Sequence, residues 1–215
     1  MQSLQRLIII PFMSTPSPQS PAAFTQPSLL RQALSALGEL LAADDTGVSI
    51  IVVGGASLNM LGLLTRSTND VDVLAFAEPS DGTSVILTPP EPLPSALVNG
   101  IRSVARDLQL PADWMNTEVA MQWRFGMPPD LADDLTWETF AGLRVGLAGR
   151  QTLITLKLFA AVDTGHASVH MQDLCALRPS HDELTTAARW VATQDAAPEF
   201  PTLIADAIRH VISHA

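Results

Sequence analysis

Ile51-Val52-Val53-Gly54-Gly55-Ala56-Ser57-Leu58 is followed, six residues later, by Thr65-Arg66-Ser67-Thr68-Asn69-Asp70-Val71-Asp72-Val73-Leu74. The first segment opens as a β-branched apolar run, so residues 49–53 are predicted to be a buried strand. Gly54-Gly55 ends that run and turns the chain with no Cβ between backbone and ligand. Residues 56–63 have helical character, which puts the glycines where a strand meets a helix N-terminus. The free N–H groups of such a junction suit a phosphate. In the second segment Asp70 and Asp72 are two apart on a predicted strand, so both side chains share one face while Val71 and Val73 enter the core. Two carboxylates side by side repel each other. A divalent cation relieves that repulsion, and Mg2+ combines carboxylate with triphosphate oxygen.

This order of parts resembles the nucleotidyltransferase superfamily, whose signature is Gly-Gly or Gly-Ser, a short helix, then Asp-x-Asp. Gly54-Gly55 and Asp70-x-Asp72 match it. Arg66 and Thr68 match the Arg-x-Thr-x-Asp-hydrophobic-Asp variant of the abortive-infection (type IV toxin–antitoxin) nucleotidyltransferase toxins and the small proteins near them. The resemblance implies an α+β fold, a small mixed sheet flanked by helices with a C-terminal helical bundle. It implies Mg2+-dependent transfer of a nucleoside monophosphate from a nucleoside triphosphate to a hydroxyl, in a toxin–antitoxin setting with a cognate protein partner. Asp70 and Asp72 would hold the metal. Gly54, Gly55, Ser57 and Arg66 would bind the nucleotide.

Further along, residues 152–162 form a strongly apolar predicted helix with Lys157, the chain's single lysine, at its middle. A lysine in such a helix is paired or reaches out to solvent. The resembled family carries a lysine here and, after it, an Asp-x-x-Asp-Leu helix start. Asp173-Leu174 keeps the end of that pattern, while His170 stands where its first acid would be. Lys157 is thereby expected to offset charge on the phosphates, and Asp173 to orient Lys157 or act as a base. Many nucleotidyltransferases carry a third carboxylate on a later strand. The predicted strand 143–147 has no acid, and nothing in the sequence requires the nearby Glu138 to face the site. That gap, with His170, supports an alternative: a catalytically inactive protein of this fold that binds a nucleotide or a partner.

Composition bounds the partners. The chain has 215 residues, 12 basic against 22 acidic, for a net charge of −10. This is a poor match for a polyanion bound through Lys and Arg, so tRNA ranks below a protein or small-molecule acceptor. The single cysteine, Cys175, excludes an internal disulfide framework and fits a reducing cytosol; it reads as a buried structural thiol. The apolar run 7–12 is too short to span a bilayer, and no signal peptide or membrane segment is read.

Around the motif, residues 1–27, rich in Ser, Pro and Gln, are expected to be a disordered arm. A nucleotidyltransferase-like core is expected over 28–150 and a helical region over 151–215. Ser28 is the predicted N-cap of a helix over 29–43, with Leu30, Ala33, Leu34, Leu37, Leu40 and Leu41 on one face. A short strand is predicted at 84–87 and a helix at 95–108. Trp114 and Asn116 match a Trp-hydrophobic-Asn segment of the related proteins; Trp114 is read as core, and Asn116 as a cap or a cleft hydrogen-bonder. Asp133 and Asp134 are read as a solvated rim. Ser180-His181-Asp182-Glu183 is a predicted capping box that opens a helix to about 193, and a last helix is predicted at 199–211.

Overall fold

The computed structural model describes residues 24, 27–79 and 85–215. The disordered-arm expectation therefore lies outside the described residues, apart from Phe24 and Pro27. The elements run α1 (Pro27–Ala43), β1 (Val48–Val53), α2 (Gly54–Met60), β2 (Val71–Pro79), β3 (Val85–Thr88), α3 (Ser95–Leu108) and β4 (Met115–Asn116). A 3-10 helix, Glu118–Arg124, then leads to β5 (Leu135–Phe140), β6 (Leu143–Ala148), α4 (Arg150–Thr164), α5 (Val169–Leu177), α6 (His181–Val191) and α7 (Phe200–His214).

The strands form one mixed sheet in the order β3-β2-β1-β6-β5, with β4 paired beside β2. The α+β architecture expected from the motif is the observed one. β1 runs parallel to β6 and antiparallel to β2. The outer edge of β2 is shared: β3 pairs antiparallel with its second half, and β4 pairs parallel with its start, Asp72 opposite Asn116. The β1–β2 register shifts between Ile51 and Val52, a bulge that places Leu74 and Ala75 together on one face. The carbonyl of Leu74 accepts the Trp123 indole N–H at 2.7 Å, so the irregular strand keeps its hydrogen bonding.

Each face of the sheet covers a core. On one, Ile50, Val52, Val71 and Val73 pack against α1 and α3. α1 supplies Leu30, Ala33, Leu34, Leu37 and Leu41, all buried as expected, whereas Leu40 is 40% exposed. Its position lies at the border of the apolar stripe. Ser28 sits inside α1, which begins one residue earlier, at Pro27. On the other face, Ile51, Val53 and Leu74 meet Leu153, Ile154 and Leu158 of α4, together with α5, α6 and α7. The C-terminal helices thus share a core with the central strand and fix whatever projects from that face. Among the described residues no helix is long and apolar enough to cross a membrane.

The start of α4 sets where Lys157 falls. Its first turn is capped by a side chain from far upstream: the Asp134 carboxylate accepts the backbone N–H groups of Gln151 and Thr152. Gly149 leaves the space for it, since a Cβ there would collide with that carboxylate. Asp134 is therefore not part of a solvated rim, as its sequence neighbours suggested, but a helix cap, favoured by the positive end of the helix. Arg150 adds a second tie, to Glu183 at 2.7 Å and to the carbonyl of Leu177 at 2.9 Å. Ser180 and Glu183 form the expected capping box of α6.

Candidate functional site

β1 delivers the chain into a bend at Gly54, whose φ of +68° an L side chain rarely adopts. The bend also needs glycine for room: a Cβ on Gly54 would strike Asp72 Oδ2. A Cβ on Gly55 would fall 2.5 Å from Thr68 Oγ1 and 2.9 Å from Arg66 Nη2. The two glycines are thus pressed against the residues of the second motif segment. α2 starts at this bend with no side-chain cap, so its first N–H groups have no capping side chain.

Asp72 stands in β2 between β1 and β4, and Asp70 immediately precedes the strand. Both are half-buried. Burial, then the charge of Asp70, pushes the Asp72 pKa up to about 7, against the opposing pull of Lys157 and Arg66. Burial also raises the pKa of Asp70, with the Asn116 amide working the other way. Asn116 Nδ2 donates to Asp70 Oδ2 at 3.2 Å, while Asn116 Oδ1 accepts the Glu118 N–H at 3.0 Å. Asn116 therefore orients one carboxylate and is itself held by the backbone.

Behind the aspartates lies a buried ion cluster. Lys157 Nζ is 2.7 Å from Asp173 Oδ2, and both side chains are less than a tenth exposed. Arg66 reaches the same carboxylate from the motif loop, with Nη2 3.0 Å from Oδ2 and Nε 2.8 Å from Oδ1. The Nε contact is ionic in geometry, its N–H not satisfied as a hydrogen bond. One anion thus sits between two cations, and its four close lone-pair directions are largely used. Asp173 in this state is not a free base; it holds Lys157 and Arg66 in place. His170, one turn earlier on α5, is kept neutral down to about pH 4 by burial and by the charge of Lys157. Its Nδ1 is buried without a hydrogen-bond partner.

Residues 29–121 match the family model described as "Nucleotidyltransferase of unknown function (DUF6036)". The match covers less than half of the chain, and over this segment the chain is similar to nucleotidyltransferases. No curated protein and no solved structure matches the chain significantly. The matched segment contains the glycine bend, both aspartates and Asn116, and it ends before the helices that supply Lys157 and Asp173.

The structure gathers Gly54, Gly55, Arg66, Asp70, Asp72, Lys157 and Asp173 through the contacts above. It does not bring Ser57 with them. That hydroxyl is fully buried and donates to the Ala148 carbonyl at 3.2 Å, which ties α2 to β6 and turns it away from any phosphate at the bend. Glu138 is not the third acid. It is bound by Arg31 of α1, on the sheet face away from Asp72. Among the described residues no three His, Cys, Asp or Glu side chains converge as a metal-binding group. The strand position beside Asp72 is held by Asn116. Cys175 is only partly buried, its thiol pKa raised by desolvation, which fits an inert thiol.

The donor set suits a hard cation. Two buried carboxylates, both with raised pKa values and Asp72 raised in part by the charge of Asp70, are relieved of repulsion when a cation sits between them. Two protein oxygens leave most of an octahedral sphere to water and phosphate, which is how Mg2+ is commonly held.

Proposed function

We propose that the chain is a Mg2+-dependent nucleotidyltransferase that moves a nucleoside monophosphate from a nucleoside triphosphate to a hydroxyl acceptor. The observation that carries this reading is Asp72 pressed against the Gly54 bend with the Asp70 charge beside it, its raised pKa being one that a divalent cation would reverse. A magnesium ion bound by Asp70 and Asp72 would neutralise triphosphate charge and lower the pKa of a hydroxyl that it contacts. The N–H groups of the bend at Gly54 and Gly55, which no side chain caps, would donate to phosphate oxygens. Arg66 and Lys157 supply positive charge beside Asp72, held at fixed positions by Asp173. The acceptor hydroxyl gives its proton to solvent water, its oxygen bonds to the α-phosphorus, the α–β bridging P–O bond breaks, and pyrophosphate leaves with that bond's electron pair. In this reading Asp173 positions the two cations and does not take the acceptor proton.

The net charge of −10 directs the acceptor toward a protein or small-molecule hydroxyl ahead of tRNA. We place the protein in a toxin–antitoxin pair on the motif resemblance alone. A second reading has its own observation: the strand position in register with Asp72 carries an amide, Asn116, and not a further carboxylate. That arrangement favours nucleotide binding without transfer. Incubation with α-labelled triphosphates, Mg2+ and candidate acceptors separates the two. Transfer of label that is abolished by Asp70→Asn and by Asp72→Asn is expected of the enzyme. Saturable binding of the triphosphate with no labelled product from any acceptor would select the second reading.

A further inference from the structure

Phe24 lies before the family-matched segment, which begins at residue 29. It is nonetheless 1% exposed. Its backbone forms a two-way bridge with the motif loop: Phe24 N–H donates to the Thr68 carbonyl at 2.9 Å, and Thr68 N–H donates to the Phe24 carbonyl at 3.1 Å. Its ring meets Trp114 edge to face, with centroids 5.9 Å apart and planes at 68°. Trp114 is itself fixed, its indole N–H donating to the Ile101 carbonyl of α3 at 3.0 Å.

The two partners of Phe24 lie on the two segments that place Asp70. Thr68 is two residues before Asp70, and its hydroxyl donates to the Asp70 carbonyl at 3.3 Å. Trp114 is two residues before Asn116, whose amide holds the Asp70 carboxylate. The Trp114 carbonyl also accepts the Val71 N–H at 2.7 Å. The chain between α2 and β2 is irregular, so its position depends on such ties. Its other end is secured by the Asn59 side chain, which bonds both the N–H and the carbonyl of Arg66. The Asp70 end has Phe24.

We infer that Phe24 is a positioning residue for the metal site: it locks the Thr68–Asp70 loop to the Trp114–Asn116 strand, so that Asp70 is held beside Asp72. The inference rests on the reading that Asp70 and Asp72 bind a divalent cation. The chain ahead of α1 then contributes to the site although the matched segment does not include it. Residues outside the inner coordination sphere that orient a ligand change metal affinity far more than their distance suggests.

Mn2+ binding to the full-length protein, read by electron paramagnetic resonance well below the unfolding temperature, tests the inference. Phe24→Ala keeps the backbone bridge possible but removes the ring. It is expected to weaken Mn2+ binding about 10–100-fold, while Phe24→Leu, which fills much of the space, retains most of the affinity. Leu97→Ala is the control. It empties the same core from α3, at a residue outside the Thr68–Asp70 loop and the Trp114–Asn116 strand, and should leave Mn2+ affinity within about twofold of wild type. Hydrogen exchange adds a readout that needs no metal: the amides of Thr68 and Val71 should lose protection in Phe24→Ala and keep it in Leu97→Ala. Wild-type Mn2+ affinity and protection in Phe24→Ala overturn the inference, as does an equal loss in Leu97→Ala. A wild-type protein that binds no Mn2+ overturns the metal-site reading itself, a result visible before any variant is made.

Discussion

Asp173→Ala is expected to destabilise the protein by about 3–5 kcal/mol, the usual cost of removing one partner from a buried ion cluster. The reason is geometric. Asp173 is the shared anion of Lys157 and Arg66, and its side chain is 3% exposed. Without it two cations face each other in a poorly solvated space with no acceptor between them. Lys157→Met should cost much less, because Asp173 keeps Arg66 and a methionine fits an apolar helix. Chemical denaturation of the two variants checks the order. The same pair separates scaffold from chemistry. Lys157→Met should fold and lose transfer, since it removes charge beside Asp72 while leaving the core filled. A stable Asp173→Ala variant, within about 1 kcal/mol of wild type, would show that the cluster is solvated and that its members are not held as described.

Asp72→Asn is expected to move stability in the opposite direction. The sign follows from linkage. An aspartate in the unfolded chain titrates near its model value of 3.8, and Asp72 in the fold titrates near 7. Between those values the folded protein binds a proton that the unfolded chain has released. Stability of the cation-free protein therefore falls as pH rises from about 4 to about 7, and levels off above that window. The raised pKa of Asp70 adds to the fall with the same sign. Asparagine carries no such charge, so the variant should exceed wild type in unfolding temperature at pH 8 and should lose much of the slope between pH 4 and 7. Saturating Mg2+ should give back to wild type what the substitution gives the variant. A cation-free wild type whose stability rises through that window would mean that Asp72 is well solvated or paired.

Much of this arrangement is legible in the sequence. The apolar run into Gly54-Gly55 and the Asp-x-Asp that follows locate β1, the bend and β2, because each rests on local chemistry: β-branched residues, backbone freedom and alternation. The helix at Ser95–Leu108 and the Ser180 capping box were readable for the same reason. What escaped depends on contacts between distant segments. β5 is an edge strand of Thr, Trp and Glu among its apolar residues, half-exposed along its length, so its alternation is weak. Asp134 caps a helix that begins sixteen residues later, a pairing with no sequence spacing to betray it. Ser57 lies beside the glycines in sequence, yet helical rotation buries it against β6. Phe24 is an aromatic in a Ser-, Pro- and Gln-rich stretch, where composition argued against any fixed position. Asn116 reads from the sequence as a cap or cleft hydrogen-bonder, but its partner Asp70 is set by the parallel pairing of β4 with β2, which no local pattern encodes.

Thermal unfolding with and without Mg2+ and a nucleoside triphosphate, on wild type and on the double variant Asp70→Asn/Asp72→Asn, tests the metal–triphosphate site most directly. With ligand at a hundred times its dissociation constant, the wild-type midpoint should rise by about 5–10 °C, and that of the double variant should not move. Equal shifts in the two proteins, or no shift in either, would contradict a cation–triphosphate site at the Gly54 bend.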